Sequence, residues 1–114
     1  MFNFFNKKIY RNIISFSISF PHHYNEEMKW NSIKKFTDGL QKKLKHLNVG
    51  GDIFLSQYLF SLKLDIEGDK KNIKKIHQFI DKNGPFLYIN VDYIKQINQR
   101  SYKNNGIKFR YSLL

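Results

Sequence analysis

Over residues 13–20 the chain reads IISFSISF, with large apolar residues alternating with serine. Ile14, Phe16, Ile18 and Phe20 fall on one side and Ser15, Ser17 and Ser19 on the other, the two-residue period of a strand buried on a single face. A parallel sheet covered on both faces would give a continuous apolar run, so this alternation predicts an antiparallel sheet with helices on one face. Pro21 ends the strand. Asn25 is then placed to cap a helix whose first turn carries Glu26 and Glu27 at the positive end of the helix dipole. Ile33, Phe36, Leu40, Leu44 and Leu47 recur at three- and four-residue spacing, and Trp30 extends their stripe, so the helix should run to about Leu47. Gly39 within it suggests close approach to the sheet. Gly50 and Gly51 are expected to stop it.

Residues 52–67 read as two strands joined by a tight turn near Ser56 and Gln57. In the second strand Tyr58, Phe60, Leu62, Leu64 and Ile66 share one face, while Leu59, Ser61, Lys63, Asp65 and Glu67 share the solvent face. Gly68 breaks the run and Asp69 caps a second helix, Lys70 to about Lys82, with Ile73, Ile76, His77 and Ile80 inward. Asn83, Gly84 and Pro85 form a stop, residues 86–93 a further strand, and residues 107–113 alternate as an extra edge strand. The order β-α-β-β-α-β predicts the ferredoxin-like α+β two-layer sandwich, an antiparallel sheet under two helices with its first and third strands central. The chain is read as a single domain, residues 1–114: an N-terminal arm at 1–12, the core at 13–93 and a tail at 94–114.

Cysteine is absent, which excludes disulfides and thiolate metal sites and suits a reducing compartment. Residues 1–12, MFNFFNKKIYRN, invite a signal-peptide reading, but the following run is broken by serine and no small-residue cleavage site follows. No segment is long and apolar enough to span a membrane, and a cytoplasmic location is expected. The net charge of +11 suggests a polyanionic partner. Lysine supplies nearly all of the positive charge, beside abundant Asn, Ile, Phe and Tyr, so A- and T-rich codons account for the excess equally well.

Candidate chemistry is sparse. His22 and His23 lie together on a loop with no spaced third ligand, His77 borders an apolar stripe, and His46 suits a helix C-terminus. Asp65 and Glu67 share a strand face, as paired carboxylates for metal or acid–base chemistry would, with Asp52 upstream and Asp69 beyond. A solvent-facing strand end followed by a helix cap uses the same residues without chemistry. No phosphate loop, serine elbow or cysteine nucleophile is present, so no catalytic residue, metal or cofactor is expected. An RNA-binding sheet would carry stacking aromatics on its central strands, where this chain has Ser15, Ser17, Ser19, Leu59, Ser61 and Lys63; Tyr88 is a lone outer-strand aromatic. Nucleic acid would instead meet lysines such as Lys70, Lys71, Lys74 and Lys75, with Arg100, Lys103, Lys108 and Arg110.

The stretches FPHHYNEE, LKHLNVGGDI, YLFSLKLDIEGD and KNGPFLYINV, between residues 16 and 92, resemble small ferredoxin-like immunity proteins of bacterial polymorphic-toxin and contact-dependent growth inhibition loci. That resemblance implies a cytoplasmic, non-enzymatic protein that binds and neutralises one cognate toxin. The expected contact residues are Asp52, Lys63, Asp65, Glu67, Asp69 and Tyr88, the acids among them facing a basic toxin. The alternative is a basic nucleic-acid-binding accessory protein.

Overall fold

A computed structural model describes residues 8–56, 60–83, 87–91, 93–98 and 107–112. The elements are β1 (Ile9–Ile18), α1 (Glu26–His46), β2 (Gly50–Ser56), β3 (Ser61–Gly68), α2 (Lys70–Asn83), β4 (Leu87–Val91), β5 (Lys95–Ile97) and β6 (Ile107–Ser112). The sheet runs β4-β1-β3-β2-β6, and β5 pairs with the start of β1. The ferredoxin-like α+β sandwich is therefore the fold, with β1 and β3 central as the element order implied. The four core strands are antiparallel, and the expected C-terminal edge strand joins β2 in parallel.

Burial follows the period. Ile14, Phe16 and Ile18 of β1, Ile53 and Leu55 of β2, and Leu62, Leu64 and Ile66 of β3 meet Ile33, Phe36, Leu40 and Leu44 of α1 and Ile73, Ile76 and Ile80 of α2 in one core. Asn25 caps α1 by accepting the Met28 N–H at 2.8 Å, and Asp69 caps α2 by accepting the Lys71 N–H at 3.1 Å.

Several boundaries differ from expectation. β1 begins at Ile9, inside the expected arm, because Tyr10 packs on the core and Asn12, only 1% exposed, has a partner beneath α2; two polar residues had hidden the period. The remainder of the arm, residues 1–7, lies outside the described residues. The tail contains β5, a short strand without an alternating signature, recruited by the N-terminal half of β1. The glycine pair does not end α1. Asn48 does so, in the left-handed conformation at φ 54°, with Val49 N–H bonding Leu44 C=O and Asn48 N–H bonding Lys45 C=O, a Schellman stop. Phe60 also has positive φ, 46°, and ends the connection before β3 instead of belonging to the strand. Gly39 lies against α2 and not the sheet: a Cβ there would meet Phe79 Cζ at 3.3 Å.

Candidate functional site

Strand register brings most of the sequence-predicted contact residues to one face of the sheet. Asp52 and Asp65 are direct cross-strand partners, and Glu67 lies opposite Arg11 on β1 and Gly50 on β2, so these three acids share the sheet face turned away from the helices. Like charges directly opposite destabilise a sheet. Arg11 offsets this, its Nε and Nη2 donating to the two carboxylate oxygens of Asp65 at 2.8 and 2.6 Å. Glu67 is 2% exposed, where the sequence placed it in solvent; alternation gives the face a residue points to but not how far its neighbours cover it. Lys63 is exposed beside Phe54, with Nζ 6.0 Å from the ring centroid. Asp69 leaves this group for the α2 cap, and Tyr88 falls on β4, opposite Ser17.

A second feature was missed by sequence reasoning. Where β1 leaves the sheet and β3 enters it, half-buried rings gather from three segments. Phe60 meets Trp30 at a 5.2 Å centroid distance and Phe20 at 5.5 Å, Phe20 stacks on Tyr24 at 5.8 Å, and Lys29 Nζ lies 5.9 and 5.6 Å from the Phe20 and Phe60 rings. Exposed His23 packs edge-on against Tyr24. The available signal was aromatic residues beside turns that the β-α-β-β order brings to one end of the sheet.

The third feature is the seam between the helices. Phe36 and Phe79 stack at 6.3 Å, and Asn72 Nδ2 donates to Leu47 C=O at 3.2 Å, joining the start of α2 to the end of α1. A groove of about 560 Å³ lies over this stack, lined by Ser32, Lys35, Phe36, Gly39, Phe79, Lys82 and Asn83. A further section of about 500 Å³ continues past Phe79 to Lys43, His46, Leu47, Lys75 and Gln78. No acid lines either section among the described residues. Beneath α2, His77 Nε2 lies 2.6 Å from Asn12 Oδ1. Burial pushes the His77 pKa below its ordinary value, and the nearby Asp81 carboxylate partly opposes that.

Among the described residues no group of His, Asp or Glu is arranged to hold a metal ion, and no helix is long and apolar enough to cross a membrane. No protein-family model and no curated protein matches the chain. Solved structures do. The BLUF protein BlrB in its dark state is similar at a TM-score of 0.71 and 10% identity, over 92% of this chain and 74% of that one. A bacterial light-regulated adenylyl cyclase gives 0.67 at 18% identity, over 90% of this chain, which spans 28% of the cyclase's length. An acylphosphatase from Coxiella burnetii gives 0.57 at 16% identity, over 93% and 95%. At these identities the likeness is one of fold, and none of the three is an immunity protein.

Proposed function

We propose that this chain is a non-enzymatic binding protein that recognises another protein, and that its partner is a toxin domain it neutralises in the cytoplasm. The observation that carries the reading is the ring cluster of Phe20, Tyr24, Trp30 and Phe60, half-buried at one end of the sheet with Lys29 beside it. Aromatic groups that are rigidly held yet partly exposed are the usual anchors of protein interfaces. The chemistry-bearing residues elsewhere have structural work: Arg11 holds Asp65, Asn12 engages His77, and Asp69 caps α2.

Titration calorimetry of the chain against the C-terminal domain of the protein encoded by the neighbouring gene tests the reading. Tight binding is expected, and Trp30→Ala should weaken it by about tenfold or more, while Trp30→Phe, which keeps an aromatic ring in the cluster, recovers part of the loss. No binding by the parent chain would reject it. Two of the similar structures, BlrB and the light-regulated cyclase, raise light sensing as a competing reading. That property needs a bound chromophore, so a visible absorption band in the purified protein would displace the protein-binding reading.

A further inference from the structure

We propose that the seam between α1 and α2 is a track for single-stranded nucleic acid, on a surface separate from the ring cluster and independent of the protein-binding reading. Helical spacing sets Lys35 and Lys43 on the α1 rim and Lys75 and Lys82 on the α2 rim, with His46 at one end. The acids of the two helices lie elsewhere. Glu26 and Glu27 occupy the first turn of α1, Asp38 lines the opposite flank of α1 beside Trp30 and Lys34, and Asp81 acts on His77. Codon bias can supply lysines, but it does not by itself sort acids out of one groove. The open sheet face, built from the same lysine-rich chain, sets Arg11 against Asp65.

The chemistry of the groove selects the ligand. Its rims are lysines, compact point charges that bind phosphate oxygens. Its floor carries Phe79, half-buried and common to both sections. A basic groove with an aromatic ring at its base is how proteins hold single strands, the phosphates tracking the charges and a base stacking on the ring. Duplex bases are stacked on one another and offer no face to a ring between two helices.

Fluorescence anisotropy of a labelled oligo-dT across a salt series tests this. One phosphate per rim lysine gives a slope of log affinity against log salt of about −3, and Lys35→Gln/Lys82→Gln should reduce it to about −1.4. Lys71→Gln/Lys74→Gln removes the same charge outside the groove and should leave the slope unchanged. Phe79→Leu, which keeps apolar volume beside Phe36, should lower affinity by about tenfold at an unchanged slope. Circular dichroism of each variant confirms that it is folded. No binding overturns the proposal, as does an equal loss of slope in both lysine pairs, which would mean diffuse attraction. Displacement of the oligonucleotide by poly-glutamate at matched charge also overturns it, in favour of an acidic protein ligand.

Discussion

The two broad surfaces of this protein handle charge in opposite ways. On the open sheet face, strand register brings Asp52, Asp65, Glu67 and Arg11 together, and the Asp65 side chain, held by a two-point contact with Arg11, is only 14% exposed. On the helix seam, lysines line both rims with no acid among the described lining residues. A sheet fixes which residue stands opposite which, so acids and bases there become part of the structure. Two packed helices have no such residue-by-residue register, and the side chains bordering the seam are left to solvent. Three acids that looked like a contact site in sequence, Asp65, Glu67 and Asp69, are therefore tied into the fold, while lysines line the groove.

If the sheet face is built from fixed backbone and paired charge, its variants should cost the most stability. The largest effect is expected at Gly51, which has φ +155° and where a Cβ would run into the Asp65 carbonyl oxygen. Gly51→Ala should cost about 3 kcal/mol in urea denaturation, from a backbone region nearly exclusive to glycine plus a clash with main chain that cannot swing away. Less than about 1 kcal/mol would mean that β2 and β3 slide past one another easily, and the contrast with the helix layer would weaken. Next is Arg11→Met, which leaves Asp65 facing Asp52 without its guanidinium. A loss of about 1–2 kcal/mol is expected, partly recovered in Arg11→Met/Asp65→Leu, where neither charge is left alone. A single variant as stable as the parent would show that these charges do not support the sheet.

The fold was largely legible because its signals are periodic and local. The serine alternation of β1, the Ile33–Phe36–Leu40–Leu44 stripe, Asn25 and Asp69 each mark an element without reference to the rest of the chain. What escaped depends on contacts between distant residues. The start of β1 hides behind Arg11 and Asn12, whose partners Asp65 and His77 come from β3 and α2. β5 has no pattern of its own and exists because β1 offers an edge. Burial of Glu67 requires knowing what covers the sheet face around it, and the sorting of lysines along the seam requires knowing which helix flank lies beside which. Gly39 announced a close approach, but the ring it admits belongs to α2.

The smallest expected effect lies at the join between the two layers. His77 reaches from α2 to Asn12 on β1, and the charged group known to act on it is Asp81, one turn further along α2. Because burial depresses the folded-state pKa, the unfolded chain takes up the proton more readily than the folded one. The contribution of neutral His77 is thus fully present above its unfolded pKa of about 6.5 and is lost as pH falls through that value toward the lower folded one. His77→Gln keeps an N–H donor for Asn12 Oδ1 but does not titrate. Urea midpoints measured across this range should fall more steeply with acid in the parent than in the variant, and the difference between the two curves isolates His77 from the other histidines. Parallel curves would mean that protonation at the join leaves the helix layer's hold on the sheet unchanged. A steeper fall in the parent would identify His77 as the point where acid loosens α2, and with it the α2 rim of the seam, from the sheet.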